Sequence, residues 1–135
     1  MKKYWLLKSE PDTYGWSDLE GLGEDHWDGV RNYQARNFIR DMSVGDLGFF
    51  YHSGKACEIV GVIKITSAPY QDPTTSDGCW LCVNVKCEKI LPKPVTLKQI
   101  KTESRLSNMV LLKNSRLSVQ PVEKDAFEYI LQLSR

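Results

Sequence analysis

The segment WDGVRNYQARN, Trp27 to Asn37, carries a tryptophan, a tyrosine, two arginines, two asparagines and a glutamine within eleven residues. A helix that only packs on a core has no use for so many hydrogen-bonding groups. Trp27 stands between an acidic stretch and a polar helix start, with Asp28-Gly29 directly after it. A tryptophan beside a chain reversal, flanked by donors and acceptors, suits stacking against a flat ligand. A nucleobase is such a ligand, because its ring stacks and its edges carry donors and acceptors. The alternative is a tryptophan that plugs one end of the core, since large aromatics dominate cores. Arg31 and Arg36 either offer charge to the ligand or pair with the acidic stretch. On the plainest reading, the segment is an elaborate strand-to-helix corner.

Other reactive residues carry less. Cys79-Trp80-Leu81-Cys82, followed by Cys87, invites a metal, but a zinc site takes its thiolates from a tight knuckle and needs a second pair of ligands. Here Trp80, Leu81, Val83 and Val85 are strand formers, and Cys57, His26 and His52 show no knuckle spacing. Buried structural thiols are expected, with no metal and no cofactor. The chain has no G-x-S-x-G elbow, no H-E-x-x-H pair and no Gly-rich phosphate loop. His52 and Ser53 are neighbours on a strand and point to opposite faces, so a packed or capping histidine is expected and no catalytic residue is assigned.

The scaffold for these residues must come from 135 residues, enough for one domain, 1–135, that buries roughly two thirds of its unfolded surface. Hydrophobic content of 41% with 26% charged residues fits a folded globular chain. No apolar run approaches the roughly 20 residues that span a bilayer, so no membrane partner is expected. The first apolar run, Tyr4–Leu7, is too short for a secretory signal, and the protein is expected in the cytoplasm, or the nucleus of a eukaryote, with reduced thiols. Net charge is +1, but seven acidic and no basic residues lie between Ser9 and Val30. Eight basic against two acidic residues lie between Lys86 and Arg116, a local balance of +6. The basic segment could meet phosphates, or both segments could be solvated faces.

KYWLLK reads as a buried strand. Pro11 and Gly15 punctuate the loop after it, with Ser17 as the cap of a short helix to Gly21. Asn32 is a good N-cap for an amphipathic helix over Tyr33–Met42, whose inward face is Ala35, Phe38, Ile39 and Met42. VGDLGFFYHS is a Gly-Asp turn entering an aromatic strand, and EIVGVIKIT is another strand with Gly61 at a bulge. SAPYQDPTTSDG is a loop, CWLCVNVKCEKIL one long strand, and Thr96 caps a short LKQI helix. A turn at Ser104–Asn108, a strand in RLSVQPV and a helix over Glu123–Leu133 with Phe127, Ile130 and Leu131 inward close the chain. Five or six strands that do not alternate strictly with helices exclude a doubly wound parallel sheet and favour a small, largely antiparallel barrel decorated by helices.

In order, WLLKSEPDTYGW, WDGVRNYQARN, VGDLGFFYHS, EIVGV, PVTLKQIK and NSRLSVQPV resemble the EVE domain family, thymocyte nuclear protein-like, over about residues 4 to 130. The resemblance implies an α+β, PUA-like small mixed β-barrel with flanking helices, related to the YTH domain. It implies a reader of modified bases in DNA or RNA, with 5-methylcytosine and its oxidised forms as DNA candidates, and implies no reaction. Lys8-Ser9-Glu10 stands where the YTH domain has Lys-Ser-Asn, whose last residue contacts the base edge. Trp27 stands at a cage tryptophan, with Tyr70 or Tyr33 as second wall, and Arg116 at a backbone-contacting arginine. Asp28 and Asn32 complete the expected base pocket. Lys8, Arg31, Arg36, Arg116 and Ser118 are the expected backbone or phosphate contacts. An ionised Glu10 only accepts, so it favours the exocyclic amine of cytosine or adenine, unless it caps the Ser17 helix or pairs with Arg31. The cysteines, and Glu123 in place of a Ser/Thr cap, depart from the family pattern.

The expected partner is nucleic acid carrying a modified base, with an effector protein in trans where binding alone is not the output. The competing readings are a small enzyme acting on a modified nucleotide through Glu10 or His52, and a small-metabolite-binding domain that kept the barrel.

Overall fold

Alternation along three central strands decides the architecture. The computed structural model describes residues 2–135. In β1 (Tyr4–Ser9), Trp5 and Leu7 enter one core while Leu6 enters another. β3 (Leu47–His52) sends Phe50 to the first side and Phe49 and Tyr51 to the second. β4 (Glu58–Ile65) sends Ile63 and Ile65 one way and Ile59 and Val62 the other. Strands apolar on both faces make a sheet that must be covered on both sides.

These strands form the middle of a six-stranded sheet in the order β2-β7-β4-β3-β1-β8, with β2 at Glu24–His26, β7 at Asn84–Thr96 and β8 at Val119–Val122. β1 and β3 run parallel and every other neighbouring pair runs antiparallel, so the expected mixed sheet is the one found. It curls into a half-barrel. A two-stranded ribbon, β5 (Tyr70–Gln71) with β6 (Leu81–Cys82), stands beside it. Five helices flank the strands: α1 (Trp16–Leu22), α2 (Tyr33–Arg40), α3 (Leu97–Lys101), α4 (Val110–Lys113) and α5 (Lys124–Leu133). A 3₁₀ turn at Ser104–Leu106 precedes α4. Among the described residues, no helix is long and apolar enough to cross a membrane.

Several expectations need correction. Ser17 does not cap α1: Gly15 holds that position, its amide donates to Asp18 Oδ2 at 2.7 Å, and the Trp16 amide donates to His52 Nε2 at 3.1 Å. The helix from Tyr33 stops at Arg40, because Asp41 takes the cap and Met42 reaches the core from beyond it. CWLCVNVKCEKIL is not one strand. It breaks at Val83, where β6 leaves for its ribbon, and β7 then runs through Pro92 and Pro94 to Thr96. Opposite that run the register jumps from Gly61↔Ile90 to Ile59↔Val95, so the prolines sit in a bulge that needs no ladder donor. Gly61 does mark a bulge, and it has a second duty: a Cβ there would lie 2.4 Å from the Trp16 ring. β2 and α4 are three and four residues long, too short to show a period.

Candidate nucleic-acid interface

β1, the loop after it and the segment between β2 and α2 meet at one end of the half-barrel. There they enclose a cleft of about 530 Å³, within the roughly 300–1,000 Å³ usual for small-molecule sites. Trp27 forms part of its wall. The ring is only 8% exposed, packs edge-on against Phe50 at 5.3 Å and Tyr14 at 6.2 Å, and its amide donates to the Val83 carbonyl at 2.8 Å. This tryptophan therefore belongs to the core, as the second reading had it, and it also lines the cleft.

Polar groups of opposite character surround it. On one side Tyr14 Oη donates to Asp25 Oδ2 at 2.8 Å, and His26 lies between two carboxylates, 2.8 Å from Asp28 Oδ2 and 3.3 Å from Asp25 Oδ1. Burial first, and the bond to Asp25 second, push the Tyr14 phenol well above its ordinary range, so it stays a donor. On the other side Lys8 Nζ donates to the Ser115 carbonyl at 2.8 Å, and burial lowers its pKa. The Ser9 hydroxyl donates to the Tyr14 carbonyl at 2.6 Å, which ties the loop after β1 to the strand.

A carboxylate outside the cleft holds its rim. Asp72 is fully buried; its Oδ2 accepts from the Gly29 amide at 2.7 Å and from Arg31 Nη1 at 3.1 Å, and its Oδ1 from Thr74. Burial opposes its ionisation, but the bonds from Thr74, Gly29 and Arg31 outweigh burial and hold the carboxyl well below the usual range. Gly29 has a φ of 77°, which a residue with a side chain adopts only under strain.

The cleft gathers six of the twelve residues expected at the site: Lys8, Ser9, Trp27, Asp28, Arg31 and Ser118. The other six stand elsewhere. Glu10 is exposed beside Gly54; it neither caps α1, where Asp18 and His52 already serve, nor pairs with Arg31, which Asp72 holds. Asn32 uses its side chain to cap α2, accepting from the Ala35 amide at 2.9 Å. Tyr33 packs on Trp80, and Tyr70 donates to Asn84 Oδ1 at 2.5 Å in a neighbouring recess. Arg36 donates to the Cys79 carbonyl at 2.9 Å rather than meeting the acidic stretch. Arg116 is exposed on the loop that receives Lys8.

Sequence reasoning missed Thr13, Tyr14, Asp25, His26 and the rim carboxylate Asp72. His26 abuts Trp27 in the chain and could have been flagged; Asp72 lay in a turn-rich loop with nothing to tie it to Gly29. His52 is outside the cleft. Its Nε2 accepts from the Trp16 amide, the capping role foreseen for it. Cys82 is buried, Cys87 packs against the core from β7 and all four thiols are unpaired.

The model of the EVE domain matches residues 3–133. The chain belongs to the EVE domain family. Mouse thymocyte nuclear protein 1 is 35% identical over 98% of the chain and 74% of its own length. A crystal structure of a protein from Agrobacterium tumefaciens superposes with a TM-score of 0.96 at 39% identity, covering 98% of this chain and 92% of that one. Human THYN1, solved in complex with 5-methylcytosine-containing DNA, superposes at 0.90 with 33% identity over 99% and 98% of the two chains. The EVE fold of this chain is thus PUA-like, as the family resemblance implied.

Proposed function

We propose that this chain binds nucleic acid and takes one modified base into the cleft beside Trp27, with 5-methylcytosine in DNA as the first candidate. The observation that carries the reading is one cleft lined by a tryptophan, the carboxylate acceptors Asp25 and Asp28 and the cations Lys8 and Arg31, in an EVE domain whose human relative was crystallised in complex with 5-methylcytosine-containing DNA. Asp28 and Asp25 accept only, so they suit the N4 amine of cytosine and repel a carbonyl edge. Lys8 and Arg31 both line the cleft, and on this reading they meet the phosphates that flank the captured base. Extruding a base costs a few kcal/mol, stacking on an aromatic returns about 1–3 kcal/mol, and a buried methyl adds about 0.8 kcal/mol. These nearly cancel, so backbone contacts decide affinity and the methyl decides preference. On this reading the chain is one domain whose role is binding, and it is supported by the placement of Glu10 and His52, the two bases considered for an enzyme, outside the lining of the cleft.

A fluorescence-anisotropy titration tests this, using single- and double-stranded DNA and RNA with 5-methylcytosine, 5-hydroxymethylcytosine, N6-methyladenine or no modification. A preference of about tenfold, 1.4 kcal/mol, for a modified cytosine is expected. Asp28→Asn, which leaves the core intact, is expected to weaken binding of modified and unmodified cytosine alike, because both carry the N4 amine, and to leave the preference for the methyl group. Equal binding of every oligonucleotide, or an Asp28→Asn protein that binds cytosine-containing oligonucleotides as tightly as wild type, would overturn it.

A further inference from the structure

Four side chains beside the cleft are arranged as packing alone does not require. The Arg31 guanidinium lies 5.6 Å from the Trp80 ring. Trp80 and Tyr33 have centroids 4.9 Å apart with planes at 31°. The Arg36 guanidinium lies 5.5 Å from the Tyr33 ring. Tyr33 is nonetheless 62% exposed, and its hydroxyl has no partner among the described residues. A corner built only for stability would bury this ring, because exposed aromatic area contributes little.

The stack is both fixed and continuous with the cleft. Arg31 lines the cleft and also donates to Asp72 and to Thr74 Oγ1 at 2.9 Å. Arg36 donates through Nε to Asn37 Oδ1 and through Nη1 to the Cys79 carbonyl, both at 2.9 Å. Side chains already held in place lose little freedom on binding. The two charges differ: Asp72 offsets Arg31 at 3.1 Å, whereas Arg36 has no carboxylate within 4.0 Å among the described residues. Asp77, on the same loop, accepts from the Cys79 amide.

We propose that Tyr33, Trp80 and Arg36 form a second nucleic-acid contact, which carries the strand next to the nucleotide held in the cleft. The rings meet a neighbouring base, for which sequence is immaterial because every base has a π-face, and Arg36 meets a phosphate. The contact rests on the reading of the cleft as a base pocket, since it extends that pocket outward through Arg31.

The test compares the free 5-methylcytosine nucleoside, titrated by NMR, with a short single-stranded DNA carrying one 5-methylcytosine, titrated at several salt concentrations. In Tyr33→Ala the oligonucleotide-to-nucleoside affinity ratio is expected to fall about tenfold, and Tyr33→Phe restores it. Arg36→Gln is expected to lower the log–log salt slope by about 0.7, the contribution of one phosphate on a single strand. Circular dichroism confirms that each variant folds, and the slope change does not depend on the tyrosine variants. An unchanged ratio together with an unchanged slope overturns the contact and leaves the cleft reading standing. Binding that ignores the modification but still weakens in Tyr33→Ala keeps the contact and overturns the cleft reading. No binding by the wild type to either ligand overturns both.

Discussion

On one face of the sheet, Phe49 stacks on Phe127 with centroids 4.2 Å apart, Tyr4 lies 4.5 Å from the same ring, and α5 covers the strands. On the other face Phe50 meets Trp16 and Trp27 edge-on at 5.7 and 5.3 Å, and α1 and α2 leave a cleft at the end of β1. Both faces come from the same alternating strands. The difference lies in what covers them. The ten-residue α5 lays an apolar stripe on the first face, and α3, the 3₁₀ turn and α4 add Ile100, Leu106 and Leu111 to the same core and complete its closure. The second is closed piecemeal by two shorter helices and a loop, and the gap between them is lined with polar groups that pair with one another. Closure serves stability; the unfinished side holds the cleft proposed above as the base pocket.

The largest effect expected from breaking this contrast comes from the closed face. Phe127→Ala removes a ring that is 2% exposed and stacked on two others, and should lower unfolding free energy by about 4 kcal/mol in a urea titration. The protein that remains folded should keep its nucleic-acid selectivity, because Phe127 does not reach the cleft. A change in selectivity would show that the two faces are coupled.

Asp72→Asn strikes the open face instead. It weakens charge-assisted bonds from the Gly29 amide and Arg31, and a loss of about 2.5 kcal/mol is expected. Unlike Phe127→Ala it should also weaken binding, since it frees the rim of the cleft. The Asp72 carboxyl titrates below its unfolded value, so its contribution is complete above pH of about 4 and is lost as pH falls further. The acid limb of the wild-type stability curve should therefore flatten in the variant.

His52 gives a smaller effect at the start of α1. His52→Ala leaves the Trp16 amide without its acceptor and should cost about 1.5 kcal/mol. Burial lowers the His52 pKa, with Glu58 opposing. The unfolded chain thus binds the proton more readily, so wild-type stability should be complete above pH of about 6.5 and decline as pH falls below it. Denaturation midpoints at successive pH values should show that decline in the wild type and less of it in His52→Ala.

How much of this was legible in the sequence depends on the range over which each feature is decided. The three central strands show their period within six or eight residues, and the Asn32 cap is fixed by a partner three positions away. Trp27, Asp28 and Arg31 were visible because they adjoin. The pairings that shape the cleft were not: Asp72 and Gly29 lie 43 positions apart, and no local pattern announces their meeting. A motif fixes which residues are near in the chain, whereas the meeting of the loop after β1 with Asp25 on β2 is set by tertiary contacts, among them Tyr14 on Asp25 and Ser9 on Tyr14. Likewise the sequence left Arg31 and Arg36 either facing a ligand or pairing with the acidic stretch, and only the fold shows Asp72 and the Cys79 carbonyl holding them.

The smallest expected effect tests whether the open face has two separable parts. Asn32 Oδ1 accepts from the Ala35 amide, one of the donors at the start of α2 that has no partner within the helix. Asn32→Ala should cost about 1 kcal/mol, and Asn32→Asp should restore it, because a carboxylate caps as well and sits favourably at the positive end of the helix dipole. Tyr33 is the first residue of that helix and Arg36 lies one turn on, so fraying should disturb the aromatic stack while the cleft, held through Asp72, keeps its shape. Hydrogen exchange at the Ala35 and Arg36 amides reads the fraying directly. Faster exchange there, with oligonucleotide affinity falling more than nucleoside affinity, would separate the two parts. Equal losses for both ligands would mean that cleft and stack move as one body, and that Asn32 serves the pocket through its cap.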